Sequence, residues 1–339
     1  MSMPYVVPKG SLVLVTGATG FTGAVLTRKL AEQGARVRAI ARNKAKCDQF
    51  SGLNIEWFIG QVHDEQVIKE ASAGVEYIFH VAAAYREPQI KQIDYYNVHV
   101  KSTKLLAECA KENKNLKCFI HVSTIGVHGH IETPPADEDY RFAPGDDYQI
   151  TKAEAELWFR DFAKSNNIPF TVIRPAAIYG PGDQRLLKLF KMATKPFFPL
   201  LGYGKCLYHM IHVDDLTNAM ILAATSVKGL GEVFIVGDAE PIATAEIGRI
   251  AADEYGRKLR VLRIPVTPFF ILADLCELVC KPFGIEPPIY RRRVAFFTKD
   301  RSFNTSKLRN VLGFEYGRST EQGIRDTARW YKENGWVRL

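Results

Sequence analysis

From Ser11 to about Pro175, short β-branched and apolar runs alternate with longer amphipathic stretches, the pattern of βαβ units and a parallel sheet. The predicted strands are Leu12–Val15, Val37–Ile40, Ile55–Ile59, Tyr77–Val81, Cys118–Val122 and Phe170–Ile173. Their nearly continuous apolar character is that of strands buried on both faces. Helical periodicity follows the first, third, fourth and fifth, so the fold class is α/β with a doubly wound parallel sheet. Beyond Pro175 the regularity breaks. Pro181, Pro196 and Pro199, with Gly180, Gly182, Gly202 and Gly204, punctuate a Phe- and Leu-rich stretch that reads as a smaller C-terminal lobe. A helix at Val213–Thr225 and a strand at Glu232–Val236 return the chain to the sheet, and Thr244–Tyr255 and Pro268–Cys280 again read as helical. The expected division is a sheet domain over 9–175, with returns near 208–238, and a lobe over 176–207 and 239–335.

Composition narrows the class without naming a ligand. The 339 residues are 47% apolar and 24% charged, which excludes a disordered, collagenous or coiled-coil chain. With 45 Lys and Arg against 37 Asp and Glu, the net charge of +8 favours an anionic ligand or surface. Cys47, Cys109, Cys118, Cys206, Cys276 and Cys280 are scattered, with no Cys-x-x-Cys pair and no metal-ligand spacing, and read as reduced core thiols. No secretory signal is visible in Met1–Gly10, so a cytoplasmic setting is expected. The most apolar late stretch, Val266–Phe283, contains Pro268, Asp274 and Glu277 and ends at Lys281-Pro282. It is too short and too charged to span a bilayer, which leaves contact with a membrane surface or a greasy substrate open.

The first strand is followed by Thr16-Gly17-Ala18-Thr19-Gly20-Phe21-Thr22-Gly23, opening a helix through Val25, Leu26 and Leu30. Glycines at every third position allow a tight turn, a close approach of backbone to a pyrophosphate and packing of helix on strand, with the helix N-terminus facing the phosphates. At the first βα junction this reads as a dinucleotide site of Rossmann type. The second strand ends at Ala41-Arg42, where an NAD-binding chain usually carries an acid for the ribose hydroxyls. Here Arg42, Lys44 and Lys46 stand instead. These cations can pair with a 2′-phosphate, which favours NADP(H) over NAD(H); solvated surface charge, or Arg42 stacked on adenine, are the other readings.

Gly145-Asp146-Asp147-Tyr148-Gln149-Ile150-Thr151-Lys152 begins a further helix. Tyr148 and Lys152, one turn apart, share a face. An ammonium beside a phenol of ordinary pKa about 10 favours the phenolate and makes Tyr148 a usable acid or base near neutrality.

Taken in order, Thr16-Gly17-x-x-Gly20-x-x-Gly23, His80-Val81-Ala82-Ala83, Ser123-Thr124, Tyr148 with Lys152, Arg174-Pro175, Tyr179-Gly180-Pro181-Gly182, His212-Val213-Asp214-Asp215 and Leu312-Gly313-Phe314 give the chain a resemblance to the extended short-chain dehydrogenase/reductases over nearly its whole length. That resemblance implies that Tyr148 is the general acid/base, that Lys152 binds the nicotinamide ribose and tunes Tyr148, and that Thr124, or less well Ser123, holds the substrate oxygen. It implies a cofactor pocket made by Gly17, Thr19, Gly20, Phe21, Thr22 and Gly23, by Arg42 and Lys46, by Gln61 and Val62, by Val81, Ala82 and Ala83, by Tyr148 and Lys152, and by Pro175 and Ile178. A homodimer through the two long helices of the sheet domain is implied as well.

Two departures stand out. The family's Asn in an Asn-Val-x-Gly-Thr pattern is His99 in His99-Val100-Lys101-Ser102-Thr103, which either replaces the Asn or packs in the core. The Asp that meets adenine is Gln61, whose amide still donates and accepts.

Two substrate classes compete. Nucleotide-sugar epimerases and dehydratases generally carry an Asn and an Arg for the diphosphate where this chain has Ala177 and Tyr208, although Arg291, Arg292 and Arg293 could bind a phosphate or form a solvated basic turn. The other branch resembles 3β-hydroxysteroid dehydrogenases and needs an apolar pocket. Phe190, Phe197, Phe198, Leu200, Leu201, Phe269, Phe270, Ile271 and Leu275 could supply it, or form the lobe's core. The expected function is hydride transfer between nicotinamide and a bulky hydrophobic secondary alcohol or ketone, with the epimerase/dehydratase reading as alternative. A non-catalytic cofactor-sensing regulator is third. No RNA-recognition signature appears, so the expected partner is a small-molecule substrate and not nucleic acid.

Overall fold

The computed structural model describes residues 5–84, 90–202, 204, 206–283, 287–290, 294 and 300–339. Seven strands form the central sheet: β1 (Leu12–Thr16), β2 (Arg36–Ala41), β3 (Ile55–Ile59), β4 (Tyr77–His80), β5 (Cys118–Val122), β6 (Phe170–Pro175) and, much later, β11 (Val233–Val236). All pairings in it are parallel, in the order β11-β6-β5-β4-β1-β2-β3. The six strands expected before Pro175 are present to within two residues at each end, and the predicted return strand becomes the sheet's edge beyond β6.

Period-two side-chain alternation sends each strand's residues to two apolar layers. Val13, Val15, Phe79 and Ile120 face helices α1 (Phe21–Glu32) and α7 (Val213–Thr225), whose Leu26, Leu30, Leu216 and Met220 complete one layer. Leu14, Ile78, Phe119 and Val172 face α2 (Glu65–Ser72), α4 (Ser102–Glu112) and α5 (Asp147–Ser165) on the other side. Chain direction across the sheet reverses between β1 and β4, and the crevice outside the carboxyl ends of those two strands is where such sheets hold their ligands. Before α4 the chain runs through α3 (Gln92–Tyr96) and one π-helical turn over Asn97–Lys101.

Three small two-stranded sheets follow: β7 (Ala177–Tyr179) with β10 (Met210–His212), β8 (Phe198–Leu201) with β13 (Val261–Ile264), and β9 (Leu207–Tyr208) with β12 (Ile242–Ala243). With α6 (Leu187–Met192), α8 (Thr244–Glu254) and α11 (Thr320–Glu333) they enclose a third apolar cluster around Tyr179, Phe190, Phe198, Leu200, Ile247 and Tyr331. The stretch 239–335 does not pack wholly there. Leu308 of α10 (Ser306–Leu312) and Phe314 join the layer of α1 and α7.

One expectation needs correction, and one open alternative is decided. Only Cys47 and Cys118 are buried; Cys109, Cys206, Cys276 and Cys280 are half-buried, so the free thiols are not all core residues. Phe190, Phe198 and Leu200 are sealed in the third cluster and cannot line an open pocket, because the lobe needs a core of its own before it can offer a cavity. Phe197, Ile271 and Leu275, by contrast, are exposed. Arg291, Arg292 and Arg293 lie outside the described residues. Among the described residues no helix is long and apolar enough to cross a membrane.

Candidate active site

The glycine turn is shaped by what its glycines must avoid. Gly17 has φ +71°, and a Cβ there would stand 2.8 Å from the Ala82 Cα at the end of β4, an overlap of backbone with backbone. At Gly23 a Cβ would collide with the Gly17 carbonyl oxygen, so the helix can close on the turn only with hydrogen there. Gly20 is the N-cap of α1 and offers no side-chain acceptor, which leaves first-turn amides for an anionic guest. Thr16, buried under the turn, accepts from the Ala82 N–H at 3.2 Å and lies 2.8 Å from His80 Nδ1. This locks the ends of β1 and β4 side by side. The shape of the cradle fits a dinucleotide phosphate, and the expected residues Gly17, Gly20, Phe21, Thr22, Gly23 and Ala82 lie at or beside the turn, with Thr19 half-buried next to them.

The other expected cofactor positions fall along the same rim. Arg42 and Lys46 are exposed just past β2, whose Ile40 is in register with Thr16 of β1. Gln61 is exposed and Val62 buried after β3; Val81 is half-buried and Ala83 exposed after β4. Pro175 ends β6 and Ile178 lies in β7. Sequence reasoning missed Arg185. Its guanidinium lies 5.5 Å from the centre of the Phe21 ring, bound to the buried Asp183 carboxylate at 2.8 Å and the Ile178 carbonyl at 2.6 Å. The only signal was the Asp-x-Arg spacing after the Gly-Pro-Gly turn.

The chemistry-bearing residues meet at the carboxyl end of β5. Asp146 caps α5 by accepting from the Gln149 N–H at 2.9 Å, which starts the helix one turn ahead of Lys152. Tyr148 is half-buried in the first turn, its ring edge-on to His99 at 5.2 Å and to Tyr95 at 6.2 Å. Lys152, one turn on, is buried and donates from Nζ to the Val122 carbonyl at 2.8 Å, next to Ser123 and Thr124. Burial pushes its pKa down to about 8, against a partial pull upward from the Glu156 carboxylate. It stays largely protonated at neutral pH, with two ammonium hydrogens beyond the one given to Val122. Thr124 Oγ1 accepts from the Gly126 N–H at 3.0 Å, which leaves its own proton to donate outward. Among the described residues the buried Ser123 hydroxyl has no hydrogen-bond partner. Between the two hydroxyls, the half-buried Thr124 is the one within reach of a ligand.

His99 packs in the core with both ring nitrogens hydrogen-bonded. Nε2 accepts from the Ala84 N–H at 3.1 Å, so Nδ1 carries the proton and reaches Thr151 Oγ1 at 2.8 Å. Burial, with Lys152 nearby, drives its pKa far down and holds it neutral. The π-helical turn that carries His99 thereby fixes α5 at Thr151, next to Lys152. Behind the site, Arg174 and Glu156 form a fully buried ion pair at 2.6 Å, the guanidinium also donating to the Glu138 carbonyl and meeting His128 Nε2 at 3.2 Å.

A protein-family model described as the NAD dependent epimerase/dehydratase family matches residues 13–237. Among curated proteins, sterol demethylase protein B of Methylococcus capsulatus is 33% identical over 96% of this chain and 99% of its own. The 4-hydroxy-2-methyl-3-oxo-4-farnesyl-3,4-dihydroquinoline-1-oxide ketoreductase of Stigmatella aurantiaca is 27% identical, over 93% of this chain and 95% of its own. The solved structure of gox2253 superposes with a TM-score of 0.83 at 26% identity, covering 97% of this chain and all of that one.

Proposed function

The chain belongs to the NAD-dependent epimerase/dehydratase family of extended short-chain dehydrogenase/reductases, and from that premise we propose that it reduces a bulky hydrophobic ketone, or oxidises the matching secondary alcohol. The observation that carries the redox reading is the grouping of Tyr148, Lys152 and Thr124 at the end of β5, beside a turn built for a dinucleotide. In the ketone direction Thr124 donates a hydrogen bond to the carbonyl oxygen and Tyr148 delivers the proton as that oxygen becomes a hydroxyl. Lys152, charged and buried, holds Tyr148 acidic. The bound nicotinamide would supply the hydride to the carbonyl carbon. Gly17, Gly20 and Gly23 would hold its pyrophosphate, Arg42 and Lys46 a 2′-phosphate, and hence NADP(H) in preference to NAD(H).

The hydrophobic substrate class is supported by Ala177 and Tyr208, which replace the polar residues a nucleotide diphosphate would need, and by a sterol-named and a ketoreductase-named relative. Titration of UDP, dTDP and GDP into NADP-loaded protein tests it. Silence from all three, with NADPH consumption on a hydrophobic ring ketone, is expected. Micromolar binding by any of them would move the assignment to the matching nucleotide sugar. A homodimer through α4 and α5 belongs to the same reading, with Ile150 and Leu157 exposed on α5 as the apolar contacts it would bury.

A further inference from the structure

Helix α9 (Thr267–Cys280) has its polarity reversed. At about 100° per residue, Pro268, Ile271, Leu272, Leu275, Leu278 and Val279 fall on one stripe. A helix on a water-facing surface would keep that stripe polar, yet Ile271, Leu275, Leu278 and Val279 are 57%, 54%, 72% and 62% exposed. Ala273, on the opposite face, is its one fully buried residue. Phe283 just beyond is exposed too, as are Phe197 before β8 and Leu262 of β13 in the small sheet that leads into the helix.

The charge around this surface selects what covers it. Just ahead of the helix, between Gly256 and Thr267, the chain carries Arg257, Lys258, Arg260 and Arg263, all four exposed, and no acid, while the helix's own acids, Asp274 and Glu277, fall outside the apolar stripe. Pairing two copies of the chain through α9 would bring eight cations together against four acids, Asp274 and Glu277 of each copy, and leave an excess of like charge at the interface. An anionic lipid surface instead meets the cations with headgroup phosphates and the apolar stripe with acyl chains. A helix of 14 residues is about 21 Å long, against about 30 Å for a hydrocarbon core, so it suits lying in the interface and not crossing it.

We propose that α9 is a monotopic membrane anchor, lying in the plane of an anionic bilayer surface with Ile271, Leu275, Leu278 and Val279 among the acyl chains and Arg257, Lys258, Arg260 and Arg263 on the headgroups. The proposal does not depend on which substrate the site takes. Vesicle flotation of the full chain tests it, using phosphatidylcholine vesicles with and without phosphatidylglycerol. The protein is expected to float with the anionic vesicles, less with neutral ones, and to be released by high salt. Leu275→Glu with Leu278→Glu should lower partitioning on the order of a hundredfold while leaving the unfolding transition in place, because both side chains are already exposed. Arg260→Glu with Arg263→Glu should weaken binding to anionic vesicles alone. Wild-type protein that stays at the bottom with anionic vesicles, or a leucine double variant that floats as well as wild type, overturns the proposal. So does a wild-type dimer that the leucine variant dissociates without any lipid partitioning by either.

Discussion

Replacing Lys152 by Met should leave the cofactor-free protein as stable as wild type, or more so, and should remove a pH dependence. Lys152 is 3% exposed, and burial takes its pKa from 10.5 to about 8. Holding that proton in the folded state at neutral pH therefore costs about 3 kcal/mol relative to the unfolded chain. Met removes the cost and keeps the volume, but strips the Val122 carbonyl of its donor, a loss of about 1–3 kcal/mol. The expected net effect at neutral pH runs from nil to about 2 kcal/mol in favour of the variant. The sign with pH follows from the depressed folded pKa. Below pH about 8 the penalty is complete, and between about 8 and 10.5 the unfolded chain binds a proton that the native state has released, so wild-type stability rises with pH relative to the variant. Urea denaturation of both proteins without cofactor at neutral pH and near pH 9.5 should show the gap move in favour of wild type by about 2 kcal/mol. A gap unchanged by pH, or a variant less stable by more than about 3 kcal/mol at neutral pH, would mean that burial does not depress the Lys152 ammonium as described.

Gly17→Ala places a methyl against the Ala82 backbone in a left-handed conformation, so thermal unfolding should show a loss on the order of 1–3 kcal/mol and calorimetry should show no dinucleotide binding. Glu156→Ala strands the Arg174 guanidinium in the core and should destabilise by about 3–5 kcal/mol in urea titration, far more than an exposed pair such as Arg249 with Glu246. Arg42→Ala should weaken NADP(H) by about tenfold or more while sparing NAD(H), as read by fluorescence titration of the reduced forms; equal losses for both would assign Arg42 to the adenine and not to a 2′-phosphate.

The sheet was legible because parallel strands buried on both faces write uninterrupted apolar runs, and because Gly17 and Gly23 are held in place by collisions that nothing but glycine avoids. Tyr148 and Lys152 were legible through helical spacing, a purely local property. What escaped depends on partners distant in the chain. Nothing in the pattern of Phe190 and Phe198 separates a lobe core from a pocket wall, nor does Arg185 announce that Asp183 and Ile178 aim it at Phe21. The Val266–Phe283 stretch was legible as an apolar helix, but which of its faces is covered is a tertiary fact: Ala273 points inward and Leu278 out. The 3₁₀ turn over Lys44–Phe50 was masked by the cations read there as ligands, since Asn43 caps it by accepting from the Ala45 N–H. Helices α10 and α11 were not among the predicted elements, although the capping Ser319 ahead of an amphipathic run marks the second of them.

The central claim is that Tyr148 moves the proton while the glycine turn holds the dinucleotide. Tyr148→Phe tests it most directly, with NADPH consumption on a hydrophobic ring ketone that the wild type reduces, and with NADPH affinity measured in parallel. Turnover is expected to fall by about a hundredfold or more at nearly unchanged NADPH affinity. Near-normal turnover in the variant would contradict it.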